Sequence, residues 1–303
     1  MSVIWLWFLQ QSATSNTKIS RLANFSLGNA QFLGYFIFMR YFYFFTAVLI
    51  VSAYCLTSCT TVPITGRSAL HLVSSQQLAV MAATQFGELK KQSRISNNPK
   101  YTAMLKRVGD RIASVVVASS LHSKNVNWEF VVFEDPDQIN AFAMPGGKVA
   151  VYTGLFDVVQ TDADLAIVVG HEIAHVVAGH GAERFTQQLL AAGGAMALSY
   201  GTNDLDNSDQ QMIMVAYGAT TTLGALLPYS RLHEMEADEI GLIFSARAGY
   251  DPRVAVDFWK RMDAANEGRP PEFLSTHPAD ATRQHQLTRV MPLALQEYYN
   301  SKL

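Results

Sequence analysis

Apolar residues recur every three or four positions over 75–92 and again over 99–118, which is helical spacing. Ser74 opens the first run. Asn98-Pro99 opens the second, a capping residue followed by a proline suited to the first helical position. The period then changes. Trp128–Phe133 is a short run of aromatic and β-branched residues and predicts a strand. Ile139–Met144 predicts another, Pro145-Gly146-Gly147 a turn, and Val149–Tyr152 the returning strand. From Thr161 onward the pattern is helical, with helices at about 162–180, 183–198, 209–227, 231–248, 252–266 and 279–297. Thr161 and Asp164 have the spacing of a capping box, with Asp in the usual Glu place. No repeat or low-complexity linker divides residues 59–303, so the expectation there is one α+β domain, mostly helical, with a small antiparallel sheet.

Two uncharged runs complicate the helical half. Phe185–Asn203 and Met212–Pro228 carry no charge but are rich in Ala, Gly and Thr. They are short and weakly apolar for a membrane span, and the expectation is buried or cleft-covering helices.

Composition changes the picture most at the start of the chain. Residues 1–58 hold three basic residues (Lys18, Arg21, Arg40), no acidic ones, and 14 of the 33 aromatics. Without their three, the chain's 23 basic residues fall to 20, against 25 acidic, so residues 59–303 carry −5. That balance excludes a nucleic-acid binder, and 49% apolar content excludes a disordered chain. Two cysteines exclude a disulfide scaffold and a four-cysteine zinc ribbon. Tyr41–Leu56 is an uncharged stretch of 16 residues behind Met39-Arg40, which reads as a secretory signal. Leu56-Thr57-Ser58-Cys59 resembles the lipobox of bacterial lipoproteins, in which the chain is cut before a cysteine that becomes lipid-modified. The expected division is a targeting segment 1–58, with a possible true start at Met39, and a mature domain 59–303 anchored through Cys59. Thr60, rather than Asp, follows that cysteine, which in enteric-type sorting favours the outer membrane.

The chemistry-bearing pattern is His171-Glu172-Ile173-Ala174-His175, inside an apolar-periodic helix. Histidines four apart share a helical face and reach one ion, while Glu172 sits beside it as a base. Core-like flanks argue against two solvated surface histidines, and burying His and Glu without a metal would be costly. A third ligand is needed. His180 lies five residues after His175, one short of the metzincin spacing. Glu234-Met235-Glu236-Ala237-Asp238 offers two carboxylates four apart on another helix, one as ligand and one to hold a ligand histidine; by spacing alone Glu236 competes with Glu234.

The HExxH helix, followed about 60 residues later by Ser230-Arg231-x-x-Glu234-x-x-Ala237-Asp238, resembles gluzincin zinc metallopeptidases of the HtpX, Oma and CAAX-prenyl-protease type. Asn140-Ala141-Phe142-Ala143-x-Pro145-Gly146-Gly147, Gly179-His180, Ser275-Thr276-His277-Pro278 and Arg283 extend the resemblance in family order. The resemblance extends to lipid-anchored bacterial members of this type. The resemblance implies a zincin-like fold and one zinc per chain held by His171, His175 and Glu234. It implies Glu172 as general base and Asp238 as partner of a zinc histidine. His277 would stabilise the tetrahedral intermediate with Arg283 nearby, and Asn140, Ala141, Phe142, Ala143 and Met144 would form the edge strand that holds substrate; Arg231 has no assigned role. The expected activity is zinc endopeptidase cleavage of misfolded or stalled cell-envelope proteins at the periplasmic face of a membrane. The alternative is a non-cleaving chaperone that binds unfolded chains on the same edge, against which the retained Glu172 argues.

Overall fold

The computed structural model describes residues 38–39, 42–43, 45–46, 59–119, 126–222, 226–265, 277 and 282–303. Most of the expected targeting segment, including Leu56-Thr57-Ser58, lies outside these, as do Ser275, Thr276, Pro278 and the first residues of the helix expected from 279. Internal contacts divide the chain into two units, Met1–Ser58 and Cys59–Leu303.

In the second unit a hairpin comes first, β1 (Cys59–Thr61) antiparallel to β2 (Ser68–Leu70). Helices α1 (Ser75–Gln92) and α2 (Pro99–Ser119) follow, then β3 (Glu129–Phe133), β4 (Ala141–Met144) and β5 (Lys148–Tyr152). A 3₁₀ turn at Thr153–Asp157 leads to α3 (Asp162–Ala178), α4 (His180–Gly201), α5 (Asn207–Thr221), α6 (Leu227–Arg247), α7 (Val254–Ala264) and α8 (Thr282–Asn300). The sequence sets the helix starts chemically. Ser74 Oγ accepts from Gln77 N–H at 3.2 Å while the Gln77 side chain returns to Ser74, a full capping box. Thr161 and Asp164 close the same box on α3, as the spacing predicts. Gly179 ends α3 at φ 73°, and a Cβ there would also stand 2.5 Å from the His71 ring.

The three-stranded sheet has the order β3-β5-β4. It is mixed rather than antiparallel, which corrects the expectation. β5 inserts between the two earlier strands, so it meets β4 antiparallel across the 145–147 turn and β3 in parallel. One sheet face sends Val132, Ala141, Val149 and Val151 into the main core, and the other packs Val131, Phe133 and Ala150 with Phe86 of α1. Among the described residues no strand pairs with the other edge of β4.

The core centres on α3, whose residues from Asp164 to His175 are all buried. α6 crosses it at backbone contact. A Cβ on Gly241 would lie 2.7 Å from His171 N, and one on Gly170 would lie 2.7 Å from Gly241 O. Ser245 Oγ donates to Ala166 O at 2.7 Å at the same crossing. Glu234, Asp238, Gly241 and Ser245 are spaced four, three and four apart, so the face that seals this crossing also carries the two carboxylates to α3.

Among the described residues the uncharged runs are largely exposed rather than buried. Beyond Thr186 α4 has no buried residue among those described, nor has α5, and Met196, Tyr200, Met212 and Val215 are exposed. No single described helix is long and apolar enough to cross a membrane; α3 and α4 together pass that test but are bent by 54°, and α3 is core.

Candidate metal centre

α3 brings His171 and His175 to one face, and α6 brings Glu234 against them. His171 Nε2 lies 3.1 Å from His175 Nε2 and 3.2 Å from Glu234 Oε2. His277 adds Nδ1 at 3.2 Å from His171 Nε2 and 3.0 Å from Glu234 Oε2. Ligand atoms of these four residues lie within 4.8 Å of one another, and all four side chains are buried. Several imidazole lone pairs and a carboxylate converge on one spot with too few protons to bridge them, which a cation resolves. Glu234 Oε1 is buried without a hydrogen-bond partner, another sign of a missing positive group. Two or three imidazoles and one carboxylate are a donor set that suits zinc.

The surroundings orient the donors. His171 Nδ1 donates to Asp238 Oδ1 at 2.9 Å, which points Nε2 inward. Arg283, 5% exposed, donates from Nε to Asp238 Oδ2 at 2.6 Å, lies over the Trp259 ring, and has a second guanidinium nitrogen 3.5 Å from Glu234 Oε2. Burial opposes ionisation of Glu234, but His171 and His277 outweigh it and hold the carboxyl far below its usual range. Burial drives His175 well below 6.5, toward the neutral form a ligand needs.

Glu172 is 2% exposed, and burial pushes its pKa up. Its Oε1 has no hydrogen-bond partner and lies 3.4 Å from His277 Nε2. The backbone N–H of Ala143 donates to the carboxylate, so Glu172 sits against β4. Asn140 C=O accepts from Tyr152 N–H at 3.0 Å, so the backbone groups of Phe142 and Met144 point to β5 and those of Ala141 and Ala143 point to the other edge of β4. Asn140 Oδ1 takes the Ala141 N–H at 2.8 Å, and Pro145 has none. The edge therefore keeps carbonyls for a partner while its N–H groups are occupied or missing, a chemistry that blocks casual strand pairing.

The alternatives that spacing left open separate in space. Glu236 turns away from the cluster, and its Oε2 lies 3.0 Å from His180 Nε2. His180 sits behind His175, with the two Nδ1 atoms 2.8 Å apart, and burial lowers its pKa to about 4. Arg231 is exposed. His277 lies in the cluster itself, with Nδ1 turned to His171 and Glu234 and Nε2 toward Glu172. Cys59 is exposed at the start of β1. Pattern reading missed Arg67, Glu183 and His233, which join Glu236 in a largely buried polar cluster; no local signal links Arg67 to Glu183 116 positions on, or Glu183 to His233 another 50 on.

The profile of peptidase family M48 matches residues 99–291. The chain is similar to the mitochondrial metalloendopeptidase OMA1 of Schizosaccharomyces pombe, 34% identical over 248 residues that cover 80% of this chain and 69% of the relative. It is similar to OMA1 of Arabidopsis thaliana at 38% over 60% of this chain and 36% of the relative. It is also similar to the β-barrel assembly-enhancing protease of Escherichia coli at 30% over 81% of this chain and 51% of the relative. The chain spans about half the length of the curated relatives it matches.

Proposed function

The chain belongs to peptidase family M48, and from that premise we propose that it is a zinc-dependent endopeptidase acting on unfolded polypeptides. The observation that carries the reading is the buried convergence of His171, His175 and Glu234 beside a partnerless Glu172 oxygen, next to a free strand edge. His171, His175 and Glu234 would hold the metal, and Asp238 and Arg283 keep the first and last of these in register. Bound zinc would acidify a water and polarise the scissile carbonyl.

The protein groups do the rest. An extended substrate adds to β4, donating its N–H groups to the carbonyls of Ala141 and Ala143, so binding is largely independent of side chains. Phe142 and Met144 take the alternate positions, and Asn140 keeps the strand's first N–H occupied. Glu172 takes a proton from the attacking water; its raised pKa makes it a stronger base, and it later returns the proton to the leaving amine. His277 Nε2, beside Glu172, donates to the oxyanion as charge develops.

The lipobox-like Leu56-Thr57-Ser58-Cys59 and the preceding apolar run support anchoring through Cys59 at the periplasmic face of a bacterial membrane, with the outer membrane favoured. Misfolded or stalled envelope proteins are the substrates that location supplies. Wild type and Glu172→Gln, both zinc-loaded, are compared on unfolded casein, with end-group analysis of the products. Internal cleavage by wild type and a loss of at least about 100-fold in the variant are expected. Equal cleavage by both would refute the mechanism, and cleavage by neither would favour a binding role. Cys59→Ala should shift the protein from the membrane to the soluble fraction.

A further inference from the structure

His175 presents Nε2 to the cluster and Nδ1 to the opposite side, where His180 Nδ1 lies 2.8 Å away. A ring nitrogen that gives its lone pair to a metal leaves the proton on the other nitrogen. His175 therefore donates from Nδ1, and His180 Nδ1 must accept. The His180 proton must then sit on Nε2, which lies 3.0 Å from Glu236 Oε2. The carboxylate can only accept, so one carboxylate fixes two tautomers in series. Glu236 is itself fixed: Arg67 Nε donates to Oε2 at 2.8 Å and the Thr65 hydroxyl donates to Oε1. Arg67 also grips Glu183 with two nitrogens, at 2.9 and 2.8 Å. Glu183 accepts from His233 Nε2 at 2.9 Å, and the His233 ring stacks on His180 at 4.3 Å and 18°.

We propose that His180, Glu236 and Arg67 form a positioning relay that sets the tautomer and ring orientation of His175, as Asp238 does directly for His171. The proposal rests on the reading of His175 as a zinc ligand. The relay touches no substrate. Two buried histidines, two buried carboxylates and an arginine are an expensive way to fill space, and apolar side chains of the same volume would pack as well. Their arrangement as a continuous donor–acceptor chain ending on a ligand nitrogen is what a packing role does not require. It also gives the β1–β2 hairpin, which carries Arg67 and begins at Cys59, a part in holding the metal centre.

Zinc affinity, by competition with a chromophoric chelator, tests this on the full chain with no substrate present. His180→Leu keeps the bulk and removes the acceptor, whereas His180→Asn puts an amide oxygen near the position of Nδ1. The leucine variant should bind zinc about 10–100-fold more weakly. The asparagine variant should stay within a few-fold of wild type, and both should melt as cooperatively as wild type when metal-free. If the leucine variant does not fold, Glu236→Gln keeps the shape and should weaken zinc binding by at least a few-fold. His175→Ala tests the underlying reading and should lose high-affinity zinc. Unchanged affinity in folded His180→Leu or in Glu236→Gln, with zinc lost from His175→Ala, overturns the relay alone; full zinc affinity in His175→Ala overturns the ligand assignment and the relay with it. Nitrogen-15 spectra of the zinc-loaded chain should place the His175 proton on Nδ1 and the His180 proton on Nε2, and the opposite tautomers would contradict the relay.

Discussion

Gly241→Ala probes how the α3–α6 crossing sets the metal centre. The new Cβ would lie 2.7 Å from His171 N and 2.8 Å from Gly170 C and His171 Cα. Comfortable contacts between such atoms are about 3.5–4.0 Å, so the helices must separate by roughly 1 Å. All three obstructing atoms are backbone of α3, so no side-chain rotation absorbs the clash. Overpacking of this kind costs about 1–3 kcal/mol, or roughly 2–12 °C in Tm for a domain of this size. The same shift moves Asp238 and Glu234, one and two turns back on α6, away from the α3 histidines. A misplacement near 1 Å at a reacting centre costs up to about 100-fold. The assay is kcat/KM on unfolded casein, with zinc content and thermal melting of the same preparations. Gly218→Ala, on α5 with nothing within 4 Å of its new Cβ, is the control and should melt at or slightly above the wild-type Tm with full activity. Wild-type kcat/KM and a Tm within about 1 °C in Gly241→Ala would refute the close-crossing argument.

Other outcomes follow from the same geometry. Arg283→Met leaves Asp238 and Glu234 without their buried cation and should destabilise metal-free protein by about 3–5 kcal/mol in urea unfolding, a loss that added zinc partly restores. Because burial raises the pKa of Glu172, kcat/KM at saturating zinc should begin to fall at a pH above the ordinary carboxylate value of 4.5; a profile flat to below 4.5 would contradict it. Metal-free protein should lose stability in acid in two stages. Burial keeps His180 neutral to about 4 while the unfolded residue takes its proton near 6.5, so stability falls between those values as pH drops. Glu183 and Glu236 are buried in part but held at about 2 by their histidine and Arg67 partners, so what they contribute is present above about 4.5 and is lost as pH falls toward 2. Chelation should abolish cleavage of casein, and stoichiometric zinc should restore it.

Some of this was legible locally. HExxH is a single-helix pattern, and 3.6-residue periodicity is enough to place both histidines on one face. Capping at Ser74 and Thr161 is likewise a matter of neighbours, so those helix starts read directly from the chain. Glu234 was harder: four-residue spacing marks a face shared with Asp238, but only the rotation of α6, fixed by Gly170 against Gly241, separates Glu234 from Glu236. The parallel pairing of β3 with β5 depends on where β5 inserts, which no alternation of side chains records. β1 and β2 have three residues each, too few for any period. Arg67 reaches Glu183 and Glu236 across 116 and 169 positions, and His277 reaches Glu234 across 43. The absence of charge over Phe185–Asn203 and Met212–Pro228 suggests buried or cleft-covering helices, yet apolarity does not name a partner, and the parts of α4 and α5 that these runs form are largely exposed.

The central claim is that His171, His175 and Glu234 bind one zinc ion. Anomalous diffraction from crystals of the zinc-loaded protein at the zinc edge tests it without recourse to activity. One peak per chain is predicted, bonded to the Nε2 atoms of His171 and His175 and to the Glu234 carboxylate. A peak elsewhere, a ligand set that contains Glu236 in place of Glu234, or no peak at full occupancy of added zinc would contradict it.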